Sequence, residues 1–388
     1  MNTYHVRTLV LVTAALLLLP ACQTMSSFVS SPTPPPTQTA RVMVITSTPE
    51  PTLSATKTPL PSPAEAPTES PTATSTAAPS PTTAAAPGSS AGAIRKVVHE
   101  FKNHVGAVTS LAWKPDGSIL ATGDGIAKVY FWDLETGHQI SSIEAYPEGG
   151  GAENLLWSPL GNHIAVSVLD YQVHVWDPEA GEELFATEPH PARIESMAWS
   201  PDGSIIASGD STGLLALWEA DTGEIIISID GREFFFSAND LHWHPDGEHL
   251  AWGGLDGNVW LWDLDEEYDI FEQHEDSVYA LDFSPSGGKL CSGSYDRLIH
   301  IWDVEEQEVV RTLEGHPAAV IALAWSPDGK VIASSDEAGN IFLWEVESGE
   351  IITTLYSHDG WVEELAWSPD GTQLASTGDD GTARVWGR

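Results

Sequence analysis

HDGWVEELAWSPDGTQLASTGDDGTARVWGR, residues 358–388, carries a frame that the rest of the chain repeats. His358 is followed after eight residues by Trp367, then by SPDG, and Trp386 stands nineteen residues after Trp367. The same spacing recurs upstream at Trp113/Trp132, Trp157/Trp176, Trp199/Trp218, Trp243/Trp262, Phe283/Trp302 and Trp325/Trp344. In all seven copies a glycine lies four residues after the first aromatic. A repeat with a period near forty residues means one supersecondary unit stacked on copies of itself.

Inside each copy, short runs rich in β-branched and aromatic residues (VTSLAW, SIIAS, LIHIW, EIITTL) alternate with turn formers such as SPDG, ETG and DDG. That pattern predicts a four-stranded antiparallel meander per copy. Seven copies occupy residues 95–388 and leave no stretch for a separate catalytic domain. Trp-Asp closes the third strand at Trp132-Asp133, Trp176-Asp177, Trp262-Asp263 and Trp302-Asp303, with Trp-Glu at Trp218-Glu219 and Trp344-Glu345. These motifs resemble the WD40 repeat family, whose seven-copy members form a closed seven-bladed β-propeller. The expected fold is therefore all-β, seven blades of four strands.

The seventh copy has no outer strand after Trp386, and RKVVHEFKNH (95–104) has no copy before it. The latter aligns with QEVVRTLEGH (307–316), the outer strand of an internal copy. Residues 95–101 should therefore pair beside 382–386 and join the first and last blades, which removes two exposed sheet edges.

Ahead of the repeats the composition changes twice. Residues 1–21 have a short basic start at Arg7 and an apolar run, TLVLVTAALLLLPA, that is short for a membrane-spanning helix. Leu19-Pro20-Ala21-Cys22 resembles the lipobox of bacterial lipoprotein signal peptides, in which the cysteine becomes the lipidated first residue. Ordinary signal cleavage would want a small residue where Leu19 stands. Residues 22–94 are rich in Pro, Thr, Ser and Ala, as in PTPPPTQT and SPTATSTAAPSPTTAAAPGSS. Such a segment lacks the apolar surface to offset its ordering entropy and is expected to be a disordered tether. It would reach about 220 Å in polyproline geometry and roughly 50 Å as a coil. The expectation is an exported domain attached to a membrane only through lipid at Cys22.

The formal charge of −40 belongs entirely to residues 95–388, which hold 13 Lys+Arg against 53 Asp+Glu. A field of that sign repels nucleic acid and anionic lipid headgroups and favours cations or basic partners. No nucleic-acid partner is expected. The two cysteines, Cys22 and Cys291, imply no disulfide framework. Cys291 occupies a slot held elsewhere by Ala121, Ala165, Ala207, Ala251, Ala333 and Ala375, so it reads as a small core residue.

His, Ser/Thr, Asp and Trp recur together, a combination that nucleophilic catalysis also uses. The family resemblance implies instead a buried hydrogen-bond chain, here His274, Ser292, Asp296 and Trp302, and His358, Ser376, Asp380 and Trp386. Blade 2 (Glu148, Val166) and blade 4 (Phe234, Trp252) lose the His and the Ser/Thr together. In blades 1, 3 and 6 the Asp comes two residues early, at Asp124, Asp210 and Asp336, which leaves its place in the chain open. No catalytic residue and no cofactor are assigned. His242 and His244 flank Trp243, two apart on a strand and so on one face, with His249 six residues beyond Trp243. They make a candidate zinc pair, but no cysteine joins them and no metal is expected.

What remains is a surface. The resemblance implies that partners bind on the face made by the loops into the first strand and out of the second. Those positions and their flanks in blades 4 to 7 are Phe236, Asn239, Tyr279, Tyr295, Ile321, Trp361 and Glu363; blades 1 to 3 offer Thr109, Glu153, Arg193 and Glu195. An arc of aromatics facing an arc of carboxylates suits a peptide with apolar anchors and Lys or Arg. The sequence reading is a monomeric, non-catalytic docking platform. Its alternative is an enzyme or cation or sugar receptor that uses carboxylates gathered in the central channel.

Overall fold

The computed structural model describes residues 94–388, apart from 147–149, 232–236, 265–267 and 357. The signal segment, the lipobox ending at Cys22, the tether up to residue 93, and Glu148, Phe234 and Phe236 lie outside the described residues. Within them, 28 strands form seven four-stranded antiparallel sheets and no α-helix. Six sheets are consecutive meanders, as in blade 1: Val108–Trp113, Ile119–Asp124, Lys128–Asp133 and Gln139–Glu144. The first strand of each lines the axis of the ring, and the fourth is outermost.

The seventh sheet is built from both ends of the repeat region. Lys96–Phe101 pairs antiparallel with Ala383–Gly387, in the order expected from the alignment of RKVVHEF with an internal outer strand. Composition draws the tether boundary one residue beyond Ile94, the first described residue. Ile94 is fully buried in the core between blades 6 and 7, and the Arg95 amide donates to the Gly387 carbonyl at 2.9 Å. A lone isoleucine in a small polar run carries no periodicity, so composition alone places it on the wrong side.

The core lies between blades rather than within them. Seven hydrophobic clusters each join two neighbours, and the one uniting Phe101, Trp113 and Trp132 with Ala375, Ala383 and Val385 completes the circle. The small slot in the second strand explains itself here. Cys291 and its six alanine counterparts are fully buried where an adjacent blade presses its side chains in, so nothing larger fits. The same closeness forbids a side chain at Gly123, where a Cβ would stand 2.7 Å from that of Ala152 in the next blade. The glycine four residues after the first aromatic adopts positive φ in all seven turns, from 66° at Gly371 to 79° at Gly203. Only glycine takes that conformation without strain.

Candidate functional site

Seven inner strands stand side by side around the axis, and their free edges expose backbone amides and carbonyls to the channel. Polar side chains from one blade satisfy the next. The Ser110 and Ser196 hydroxyls donate to the Ala152 and Ala238 carbonyls at 2.8 and 2.7 Å, and the Asn239 amide donates to the Val278 carbonyl at 2.9 Å. Three carboxylates do the reverse. Asp240 accepts from the Leu281 amide at 2.7 Å, Asp282 from Trp325 at 2.6 Å and Glu364 from Leu111 at 2.6 Å. These acids are stitches between blades as well as channel lining.

Asp240 and Glu364, with His242, form the floor of a cavity of about 300 Å³, and Asp282 stands beside it against His242. His242 lies 3.4 Å from Asp240 Oδ1 and 3.6 Å from Asp282 Oδ1, with about a third of its side chain open to the channel. Burial opposes its charge, but the charge and hydrogen bond of Asp240, then Asp282 and Glu364, prevail and push its pKa up to about 9. Burial pushes Glu364 up to about 8 and Asp282 to about 6. At neutral pH His242 therefore carries a proton and Glu364 keeps one.

The mouth is acidic. Glu153, Glu195 and Glu363 project into it beside Arg193. Arg193 binds Glu153 at 2.6 Å and stands 4.0 Å from Glu195, yet is half exposed. Burial raises Glu195, with Arg193 opposing and Glu153 adding to the rise. Burial, then the charge of and hydrogen bond to Asp379, lift Glu363 to about 7. On the far side Tyr279 packs against Tyr295, ring centroids 4.7 Å apart, and Trp361 is 39% exposed on the rim.

Eight residues that sequence mapping assigned to a partner face line this one cavity: Thr109, Glu153, Arg193, Glu195, Asn239, Tyr279, Ile321 and Glu363. Tyr295 reaches it through Tyr279, and Trp361 stands outside it on the rim. Sequence reasoning missed Asp240, Asp282 and Glu364, and weighed His242 only as half of a zinc pair with His244. A signal was present: one and three residues before the first aromatic the other blades carry Ala, Leu, Ser or Asn. His242 and His244 do not share a surface. His244 lies beyond the end of its strand (Asp240–Trp243), where alternation no longer holds, and turns to Gly287 instead.

The recurring His, Ser, Asp and Trp are assembled between the strands of blades 3, 5, 6 and 7. An indole N–H can only donate. Trp344 Nε1 donates to Ser334 Oγ at 2.7 Å, so the serine proton goes to His316 Nε2 at 2.6 Å. The His316 Nδ1–H then faces Asp336 Oδ2 at 2.9 Å. Blades 5 and 7 repeat this through His274, Ser292, Asp296 and Trp302 and through His358, Ser376, Asp380 and Trp386. Burial opposes ionisation of Asp296, but its bond to His274 and backbone amides hold it down to about 2. Each serine oxygen is fully buried and already taken by an indole, so these sets offer no nucleophile to a substrate.

In blades 3 and 6 the early Asp does not break the chain. Asp210 and Asp336 reach His190 and His316 at 3.3 and 2.9 Å from the end of the second strand, while Asp296 reaches His274 from the turn. One carboxylate can approach the same ring nitrogen from either side of a tight turn. In blade 1, Asp124 takes the Tyr130 hydroxyl at 3.1 Å instead. Blade 2 substitutes His174, bonded to Asp170 and Glu183, and leaves Trp176 Nε1 without a partner. Blade 4 fills the space with rings, Trp252 stacked on Trp260 with Tyr268 at the edge of both.

The WD40 family, described as WD domain, G-beta repeat, matches residues 95–133, 228–263, 266–303, 307–345 and 349–387. The chain is a WD40-repeat propeller. A second related family, the anaphase-promoting complex subunit 4 WD40 domain, matches residues 184–234. Curated relatives include two Arabidopsis thaliana proteins described as cell division cycle 20.6 and 20.5, cofactors of APC complex, each 41% identical over 59 residues. That segment is 14% of this propeller chain and 14% and 13% of those relatives. WD40 propellers of this kind serve as scaffolds for protein interaction.

Proposed function

We propose that this WD40 propeller is a non-catalytic docking platform. The mouth of its channel grips a protein or peptide segment that sends one Lys or Arg side chain past Glu153, Glu195 and Glu363, while apolar neighbours rest on Tyr279, Ile321 and Trp361. The observation that carries the reading is the convergence of eight mapped face residues on a single acidic cavity. A volume of about 300 Å³ accommodates one long side chain and stands at the lower limit for small-molecule pockets. The floor carboxylates are engaged by backbone amides and by His242, which favours a structural duty for them over cation or sugar capture. Relatives described as cofactors of a complex support an interaction role.

In the same reading the domain is exported and held at a membrane by lipid on Cys22, with residues 23–93 as its tether. Lipid attachment supplies stable anchoring when more than one chain is added. Replacing Cys22 by Ser should move the protein from the membrane to the soluble fraction. Unchanged partitioning would refute the anchor. Tyr279→Ala with Trp361→Ala should abolish capture of a partner from native envelopes and leave the melting temperature unchanged. Retained capture would remove the mouth from consideration.

A further inference from the structure

The turn joining the first and second strands of blade 4 reads HPDGEH, residues 244–249, on the face of the ring opposite the mouth. The first position of this turn is Ser200, Ser326 and Ser368 in blades 3, 6 and 7. There the serine hydroxyl donates to the turn carboxylate of Asp202, Asp328 and Asp370 at 2.7, 2.8 and 2.7 Å. In blade 4 a histidine takes the serine's place, and the arithmetic of protons changes.

His244 is held at both ring nitrogens. Nε2 is 3.1 Å from the Gly287 carbonyl of blade 5, an acceptor only, so Nε2 carries the proton. Nδ1 then presents a lone pair. It accepts the Asp246 amide at 3.2 Å, but it also stands 2.8 Å from Asp246 Oδ2. In blades 3, 6 and 7 a serine hydroxyl donates to the turn carboxylate where blade 4 sets this ring nitrogen against it. His249 brings its own Nδ1 to 2.9 Å from the same oxygen. The three ligand atoms lie within 4.8 Å of one another, and the two rings meet edge to face at 5.6 Å. Phe283 packs edge-on against His244 at 5.0 Å and fixes its plane.

We propose that His244, Asp246 and His249 bind a zinc ion, with water completing the coordination, and that the ion fastens the turn of blade 4. Two imidazoles and a carboxylate are zinc donors, and three protein ligands with one open position is an established zinc arrangement. Bonds of about 2.0–2.1 Å in a tetrahedron place neighbouring ligand atoms about 3.3 Å apart, so the contacts of 2.8 and 2.9 Å need spread by only about half an ångström. A ligating histidine usually donates its other N–H to a carbonyl or carboxylate, which sets the tautomer and the ring's aim. The Gly287 carbonyl does this for His244. The position in the ring is also apt. Blade 4 carries Trp252 where blades 1, 3, 5, 6 and 7 have the Ser or Thr of the buried hydrogen-bond chain, and a metal clip at its opposite end restores a polar tie.

The test is calorimetric titration of the full chain, stripped with chelator, with zinc chloride at pH 7.5 in a non-coordinating buffer. His249→Ala is the decisive variant because that side chain is 37% exposed and touches only the turn. One zinc should bind the parent chain, and binding should weaken about tenfold or more in the variant. Zinc should also raise the melting temperature of the parent and not of the variant, while the two metal-free proteins melt together. Equal zinc affinity in both proteins, or no binding by the parent, overturns the proposal.

Discussion

Ser334→Ala puts a number on the buried hydrogen-bond chain. The hydroxyl is fully buried, accepts from Trp344 Nε1 at 2.7 Å and donates to His316 Nε2 at 2.6 Å. Its removal strands two buried polar atoms that no water reaches, at about 1–3 kcal/mol each. The loss should be about 2–4 kcal/mol, since the small void adds little and the His316–Asp336 bond survives. For a domain of this size each kcal/mol moves the melting temperature by about 2 °C. Calorimetry should therefore register a fall of about 4–8 °C. Ser334→Thr is the internal control, because Thr122 does this work in blade 1, accepting Trp132 Nε1 at 2.8 Å and meeting His104 Nε2 at 2.8 Å. Its melting temperature should stay close to the parent's. A Ser334→Ala shift below about 1 °C would show the chain to be ornamental.

Three further outcomes follow from the geometry. Arg297 sits at φ 73° just before the third strand of blade 5, where blades 3, 4, 6 and 7 have glycine, so Arg297→Gly should stabilise by about 0.5–1 kcal/mol in denaturant titrations. Phe101 is 3% exposed and stacked 4.3 Å from Trp132, so Phe101→Ala should cost about 3–4 kcal/mol and loosen the strand that closes the ring, seen as faster hydrogen exchange at Ala383–Val385. Glu364 holds its proton up to about pH 8 when folded against 4.5 for an ordinary glutamate, so its contribution is greatest below pH 4.5 and is lost as pH rises towards 8. Glu364→Gln keeps the acceptor for the Leu111 amide and should shrink the decline in stability between pH 5 and 8 by on the order of 2–4 kcal/mol. An unchanged pH profile would contradict that burial.

Much of this was legible because the repeat forces the same packing problem to be solved seven times. The nineteen-residue spacing fixes two strands and the turn between them, and RKVVHEF could be placed only where a strand was missing. The mouth was legible for a related reason: positions at a constant offset from an aromatic arrive at a constant height in the ring. What escaped depends on neighbours rather than on offsets. Asp240, Asp282 and Glu364 owe their role to the amide of the next blade, which no single copy encodes. The early Asp210 and Asp336 still reach their histidines because a tight turn brings both of its sides within one side-chain length. His244 left the face of His242 because its strand had already ended.

The docking reading is decided by peptide selection on the full chain, followed by affinity measurement against a Glu195→Gln, Glu363→Gln variant. Selected peptides should share one Lys or Arg anchor, and the variant should bind them about tenfold or more weakly. Binding to the parent should strengthen between pH 6 and 8 as Glu363, poised near 7, ionises. Peptides without a basic anchor, or equal affinity for parent and variant across that range, would contradict it.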